Sequence, residues 1–302
     1  MALSLALLAC PVAMTQAKEP ALVTNDRGLT ESVMTMQVRG DLTFGTDGVV
    51  KEHHIATKLD PKIAAYVDEV IGKWKFQPYR QDGVAVNART YFLMTLAARA
   101  KGSENYELTL DSRHFADKRF MTREERQKED EAKNSRKCVT ECMVFEPRRP
   151  GYPVGLMMAG VGGGVIVHLY LNPDGSVADA VVGQSALYNI RGGDKVLDDA
   201  RKLLEKSVLR YAKQIRFTPG TGSPLVGDNH LVGALPVEFL IEGMNLDNDG
   251  VWRLEQRGKA NLASWLVNDP DRWVGVSDTS GGGFIAMADS PYKLASDSAK
   301  AP

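Results

Sequence analysis

This chain has few cysteines, almost no net charge and no apolar run long enough to cross a membrane. Its 302 residues include 3 cysteines, and 37 basic side chains nearly balance 38 acidic ones. Because the two signs are interleaved, the chain offers no bulk attraction to nucleic acid or to an anionic membrane surface. We therefore predict no nucleic-acid partner and no transmembrane helix.

The N-terminal residues resemble a secretory signal. Met1 to Cys10 form a short apolar run, and small or polar residues follow up to Ala17. The run is far below the ~20 apolar residues of a membrane-spanning helix, but it fits the apolar and cleavage regions of a signal peptide. We predict a cleaved signal over residues 1–17. Leu7 to Cys10 also resemble a bacterial lipobox, in which Cys10 would carry a lipid anchor; the alternative is that Cys10 is an apolar residue of the discarded signal.

The two remaining cysteines, Cys138 and Cys142, form an even pair in a predicted export substrate. A helical i, i+4 pair or a turn brings two Cα atoms to about 6 Å, which a disulfide can bridge. Metal binding is the rival interpretation, but two thiols without a nearby third ligand make a poor zinc site. We expect a disulfide, or two free thiols if the protein is cytosolic.

The clearest periodicity runs from Arg149 to Gly243. Residues 164–171 alternate in the period-2 pattern of a half-buried strand. A turn at Asn172-Pro-Asp-Gly175 leads to a second strand over residues 177–184, and a helical apolar stripe follows. Phe217-Thr-Pro219 ends that helix before a last strand at residues 235–241. The predicted stripe comprises Val196, Leu197, Ala200, Leu203, Leu204, Val208, Tyr211 and Ile215.

The same order of elements is predicted nearer the N-terminus. A strand over residues 34–44 meets a turn at Thr46-Asp-Gly48, and a second strand covers residues 49–57. Asp60-Pro61 begins a helix, because aspartate accepts orphan N–H bonds and proline is favoured at the first helical position. Phe76-Gln-Pro78 ends that helix before a strand at residues 84–96, so we predict an internal duplication. The predicted stripe comprises Ile63, Val67, Val70, Ile71 and Trp74.

Both stretches resemble the C-terminal domain of the energy-transducer protein TonB. The residues that carry the resemblance are Tyr152, Pro153, Asp174, Gly175, Phe217 and Pro219 in the second stretch, and Asp47, Gly48, Trp74, Phe76 and Pro78 in the first. The resemblance implies an α+β fold of two ββαβ repeats, each a three-stranded antiparallel sheet backed by one helix. It also implies a periplasmic protein of a Gram-negative envelope whose sheet edge accepts a peptide strand from an outer-membrane receptor.

The sequence departs from that family in two ways. An energy transducer needs an inner-membrane helix and a long Pro/Lys/Glu-rich spacer, and neither is found. Gly151 stands where the family has glutamine before its Tyr-Pro pair. The resemblance therefore supports the fold and a binding role rather than energy coupling.

These patterns predict the domain boundaries. Repeat 1 covers residues 18–101, a charged helical linker residues 102–148, repeat 2 residues 149–243, and a partly ordered extension residues 244–302. Opposite charges three and four residues apart between positions 111 and 137 are typical of a solvated helix. In the extension, aromatic and leucine residues predict a short helix that packs back onto a domain. They are Trp252, Leu254, Leu262, Trp265, Leu266 and Trp273.

Several patterns resemble catalytic or metal sites but lack the required context. Gly160 to Gly164 precede a strand, whereas a phosphate cradle needs a helix N-terminus. His53 and His54 are neighbours on a predicted strand and face opposite ways. Asp247 to Gly250 lack the closing glutamate of a calcium loop. The histidines without a ligand at suitable spacing are His114, His168 and His230. We predict no cofactor, no metal and no enzymatic activity; the alternative is a periplasmic enzyme whose site the sequence does not reveal.

Sheet edges are the remaining functional feature. An edge strand carries unpaired N–H and C=O groups that can accept an extended peptide. The predicted partner-binding edges are residues 235–241, with Leu235, Val237, Phe239 and Ile241, and residues 87–96, with Tyr91 and Leu93. We predict a non-enzymatic adaptor that binds an outer-membrane receptor or another envelope protein segment by strand addition. The alternatives are that the two repeats, or a homodimer, cover these edges, and that the chain is a TonB-type component of outer-membrane transport.

Overall fold

The computed structural model describes most of the chain between residues 31 and 295. The described residues are 31–102, 105–122, 124–125, 128, 144–146, 150–218, 231–241, 248–261, 263, 265, 275–278, 285–286 and 291–295. The predictions for the signal, for Cys10, Cys138 and Cys142, and for Pro219 and His230 lie outside these residues.

The described residues form mostly antiparallel strands with few helices, which confirms the expected α+β class. The strands are β1 (Glu31–Phe44), β2 (Val50–Ile55), β3 (Arg80–Gln81), β4 (Val84–Ala85), β5 (Ala88–Lys101), β6 (Asn105–Ala116), β7 (Val144–Glu146), β8 (Gly163–Leu171), β9 (Val177–Tyr188), β10 (Arg216–Thr218), β11 (Leu231–Phe239), β12 (Arg253–Arg257) and β13 (Ile285–Ala286). The helices are α1 (Pro61–Gly72), α2 (Val154–Met158) and α3 (Asp194–Ala212), and a 3-10 turn covers Val276–Asp278.

One nine-stranded sheet runs through the molecule in the order β13-β11-β8-β9-β12-β1-β5-β6, and β2 pairs with β1. We call β1, β2, α1 and β5 the first half, and β8, β9, α3 and β11 the second half. In each half the chain runs strand, strand, helix, strand, and the first strand lies between the other two. β12 joins the halves, since it pairs with β1 on one side and with β9 on the other.

Helix α1 begins and packs as its sequence predicts. The Asp60 carboxylate accepts a hydrogen bond from the Lys62 N–H at 2.9 Å, and Pro61 occupies the first turn, where its missing N–H costs nothing. Val67, Val70 and Ile71 are buried against the sheet. These residues and Trp74 build the core of the first half.

Helix α3 matches its predicted stripe only in part. Leu197, Leu204, Val208 and Tyr211 are buried against β8 and β9. Val196 and Leu203, however, are 70% and 47% exposed, so the prediction that they face the core is wrong. The buried stripe is narrower than predicted, because these two residues lie on the outer side of the helix.

Residues 105–116 form the strand β6, so the prediction of a helical linker is wrong for this segment. β6 pairs with β5 from Tyr91 opposite Ala116 to Lys101 opposite Asn105. Its charges misled the helix prediction because they are bound within the sheet: the Asp111 carboxylate accepts hydrogen bonds from Arg99 and from Arg257, at 2.8 Å and 2.7 Å. The sheet therefore continues past residue 101, into the segment predicted as a linker.

The C-terminal extension supplies a central strand. Residues 253–257 form β12, so the predicted short helix at Trp252 and Leu254 is wrong. The reason is the alternation of Arg253, Glu255 and Arg257, whose side chains share one face of the sheet. Leu262, Leu266 and Trp273 lie outside the described residues.

The two faces of the sheet are covered differently. Helices α1 and α3 pack on one face, and the Val276–Asp278 turn packs on the other. Val276 lies against Ile166 and Ala186, and the Ser277 carbonyl accepts a 2.7 Å hydrogen bond from the Gln37 side chain. The extension therefore bridges both halves a second time.

A buried carboxylate lies at the centre of this second face. Glu255 is fully buried, and it accepts hydrogen bonds from Arg253 Nη2 at 2.7 Å and from Arg257 Nε at 2.8 Å. The Ser277 hydroxyl also donates to it. Burial by itself raises the pKa of Glu255, but the charges of the two arginines outweigh it and lower that pKa to about 2.

Replacement of Glu255 tests this cluster. We expect Glu255→Gln to lower the free energy of unfolding at pH 7 by about 3–5 kcal/mol, because it removes the carboxylate that the buried side chains of Arg253 and Arg257 share. Glu52→Gln, on the exposed strand β2, is the control and should change it by less than about 0.5 kcal/mol. Urea denaturation measures both, and equal effects would contradict the central role of Glu255.

Candidate functional site

The predicted edge at residues 87–96 is not an edge. β5 pairs with β1 on one side and with β6 on the other. Tyr91 lies opposite Ala116, and Leu93 lies opposite His114. The prediction of an edge at Tyr91 and Leu93 is therefore wrong, because β6 occupies the position where a partner strand was expected.

The predicted edge at residues 235–241 is largely covered. The side chains of Leu235, Val237 and Phe239 are buried in the core of the second half, and Ile241 is half-buried. β13 pairs with Gly233 and Ala234 on the outer side of β11. Every residue from Gly233 to Val237 is buried, so this part of β11 is not accessible to an incoming strand.

Pro236 further weakens β11 as a docking edge. The Tyr188 N–H, on β9, donates to the carbonyl of Gly162, the residue before β8, at 3.0 Å. Because backbone groups alternate in direction along a strand, the even-numbered residues at this end of β8 bond to β9 and the odd-numbered residues bond to β11. Leu235, opposite Val167, therefore bonds to β8, and the nitrogen of Pro236 points outward. Proline at an outward position removes a donor from the edge.

The opposite end of the sheet has a longer and more open edge. β6 has 12 residues, contains no proline, and pairs with β5 alone among the described strands. Residues 105–107 are exposed, and only Leu110 in the strand is buried. Sequence reasoning missed β6 because residues 111–116 begin the charged segment 111–137, in which opposite charges three and four residues apart are typical of a solvated helix.

The direction of the β6 backbone groups follows from the register. The Arg39 carbonyl accepts from the Ala56 N–H at 2.8 Å, so the even residues of β1 face β5. The odd residues of β5 then face β6, and Thr95 lies opposite Ser112, with a bulge between Thr95 and Leu96. The β6 residues whose N–H and C=O groups face outward are Tyr106, Leu108, Leu110, Arg113 and Phe115.

The Tyr-Pro pair borders a surface cavity in the second half. The Tyr152 ring packs on Phe239 with centroids 5.1 Å apart, and its hydroxyl donates to the Val161 carbonyl at 2.7 Å. Burial raises the pKa of Tyr152. The cavity has a volume of about 410 Å³ and lies between Pro150–Pro153 and the outer side of α3.

The other residues of the TonB resemblance serve the fold. Trp74 and Phe76 are buried, and the Phe76 ring stacks on Phe44 at 4.3 Å. Pro78, two residues after Phe76, is exposed. Asp174 and Gly175 form the turn between β8 and β9, and the backbone of Phe217 lies in β10, opposite Phe145.

Three of the histidines each contact one carboxylate. His53 contacts Asp68 at 2.8 Å, on helix α1, while His54 contacts Asp41 at 3.5 Å. His114 contacts the buried Asp278 at 3.1 Å. In the part of the chain that the structure describes, no group of three His, Cys, Asp or Glu residues could hold a metal ion.

The described end of the Asp247–Gly250 segment forms a parallel bridge between Asp249 and Gln37 of β1. The Asp249 carboxylate forms an ion pair with Arg39 and accepts a 2.8 Å hydrogen bond from the Thr57 hydroxyl. Gly250 has a φ of 67°, a conformation that favours glycine. Asp249 thus ties the extension to β1, while Asp247 lies outside the described residues.

His168 is buried in β8 on the face opposite α3. Burial lowers its pKa to about 4. A Cβ atom on Gly183 would lie 2.4 Å from the His168 ring, so the neighbouring strand needs glycine there. The folded chain therefore holds a neutral imidazole at a pH where the unfolded chain would be protonated.

This burial predicts an acid-dependent loss of stability. The pKa of His168 in the folded chain lies below its unfolded value of about 6.5. His168 therefore does not reduce the free energy of unfolding above pH 6.5, but that free energy falls by up to roughly 3 kcal/mol as the pH drops to 4. Urea unfolding at pH 7, 5.5 and 4.5 measures this slope. His168→Gln should flatten it, and His54→Gln, on the exposed β2, should leave it unchanged. A wild-type slope in His168→Gln would refute the assignment.

Comparison with known protein families, with curated proteins and with solved structures finds no match for this chain. Among the helices that the structure describes, none combines the length and the apolar character required to cross a membrane.

Proposed function

We propose that this chain is a non-enzymatic interaction protein of the bacterial periplasm, built from two TonB C-terminal-like ββαβ repeats. It binds an extended segment of an envelope protein, such as an outer-membrane receptor, by strand addition. The observation that carries this proposal is β6, an end strand of 12 residues with a single described neighbour.

The duplication is supported by the two β-turns. In the first half the Gly48 N–H donates to the Gly45 carbonyl at 2.8 Å, and the Asp47 carboxylate accepts from the N–H two residues on. In the second half Gly175 and Asp174 make the same two bonds. The two glycines have φ angles of 77° and 78°. Such agreement supports a common origin of the two turns.

An isolated bridge after each turn also supports the duplication. Val49 pairs with Lys75, and Ser176 pairs with Arg216. In both halves the bridge joins the residue after the turn glycine to the residue before Phe76 or Phe217. In both halves, therefore, the Phe-x-Pro sequence directly follows the residue that forms this bridge.

We place the added strand on β6 rather than on β11 because a partner strand can reach the backbone of β6 more easily. β11 is interrupted by Pro236 and partly paired with β13, whereas the outward groups of β6 meet no partner strand among the described residues. An added strand on β6 would gain backbone hydrogen bonds along the strand, each with a net value of about 1 kcal/mol. Side chains such as Tyr106, which is 63% exposed, would then contribute to selectivity.

Proline substitution tests strand addition. We expect Tyr106→Pro to bind the partner about five- to tenfold more weakly, because it removes one outward N–H donor. Tyr106→Ala keeps the donor and is the matched control. The partner is captured from outer-membrane extracts by a photo-crosslinker at position 117, and the affinity for the crosslinked segment, made as a synthetic peptide, is measured by calorimetry.

Hydrogen exchange of the complex separates strand addition from other contacts. Strand addition slows exchange of the outward amides of Leu108 and Leu110. Unchanged exchange at these amides, or equal affinity of the two Tyr106 variants, would refute the proposal. Slowed exchange that appears without peptide and grows with protein concentration would instead indicate a homodimer through β6.

A further inference from the structure

The cavity beside Tyr152 and Pro153 has walls of two chemical kinds. Tyr152, Pro153 and Leu203 supply apolar surface, and Lys206 and Arg210 supply two positive charges. Its volume of about 410 Å³ lies within the range of about 300–1,000 Å³ that is typical of ligand pockets. The cavity is therefore large enough for a few residues of a peptide.

The positive charges of the cavity have no partner among the described residues. Lys206 and Arg210 lie one turn apart on α3, and no acidic residue is among the residues that line the cavity. The nearby carboxylates are already bound: Asp198 pairs with Arg201 and Lys202, and Glu205 accepts a hydrogen bond from Ser185. Two unpaired cations one turn apart are complementary to a carboxylate.

The walls of the cavity are held in place before any ligand arrives. The Ser207 hydroxyl donates to the Gly151 carbonyl, which fixes the Pro150–Pro153 segment to α3. Tyr152 is fixed at both ends, by its packing on Phe239 and by its hydrogen bond to Val161. A preformed cavity loses less conformational entropy on binding.

Exposed apolar side chains continue the surface beyond the cavity. Leu203 belongs to its wall, Val154 follows directly after Pro153, and Met157 lies three residues further on in α2. An inorganic anion would satisfy the charges and leave these apolar groups in water. A peptide chain that carries both an acidic and an apolar side chain would cover both.

We propose that this cavity binds an acidic, partly apolar peptide segment, with a carboxylate between Lys206 and Arg210 and an apolar side chain against Tyr152, Pro153 and Leu203. The site lies on the helix of the second half, away from the β6 edge at the other end of the sheet. It goes beyond strand addition, because it would recognise side chains rather than backbone.

A fluorescein-labelled peptide Ser-Leu-Asp-Phe-Asp-Leu is the probe, and fluorescence anisotropy is the measurement. We expect the double variant Lys206→Gln/Arg210→Gln to bind it at least tenfold more weakly than the wild type. Lys195→Gln/Lys213→Gln removes the same charge from exposed positions of the helix and its end that do not line the cavity, and it should bind as the wild type does. Circular dichroism checks that both variants fold.

Two altered peptides separate the contributions. Replacement of both aspartates by asparagine should weaken binding at least tenfold, and replacement of leucine and phenylalanine by serine should weaken it at least fivefold. No binding of the parent peptide, or equal loss in the two double variants, would overturn the proposal. Undiminished binding of the serine peptide, with displacement by inorganic phosphate, would overturn it in favour of a simple anion site.

Discussion

A buried carboxylate lies at the centre of the strand that joins the two halves of this protein in one sheet. Glu255 lies between two arginines on β12, and β12 is the strand that separates and joins the halves. Arg257 extends the contact to Asp111 on β6 and to Ser277 in the turn on the face opposite the helices. Because a slip of one residue would turn these charges toward the apolar cores, the cluster also specifies the register of β12.

The two end strands of the sheet, β11 and β6, differ in how far their outward backbone groups are paired. At one end, β11 carries Pro236 at an outward position and is partly paired with β13. At the other end, β6 has no proline, carries one bulge at Asp111, and pairs with β5 alone among the described strands. Edge strands that are left open invite pairing with other chains, and natural proteins usually protect them. The contrast between β11 and β6, which has one neighbour among the described strands, is the main physical support for the proposal of strand addition at β6.

The local parts of the fold could be predicted from the sequence. The Asp60-Pro61 helix start, the two Asp-Gly turns and the apolar stripe of α1 depend on residues within a few positions of one another. β6 and β12 could not, because their charges resemble those of solvent-facing segments. The partners that bury them are distant in sequence: Arg257 and Asp111 are separated by 146 positions. The identity of the edge strands depends on such contacts, so the predicted edge at Tyr91 and Leu93 failed.

The position of β12 has a consequence for the order of folding. Because a chain is synthesised from the N-terminus, β1, β2 and β5 are made before β12. The gap between β1 and β9 stays open until residue 257 has emerged, because the strand that fills it comes from near the end of the chain. Until then both flanking strands expose unpaired backbone, which is a hazard for misassembly in slowly assembled sheets. The sheet is therefore completed only when β12 inserts between β1 and β9. A chain that lacked β12 would have its two halves without their shared strand.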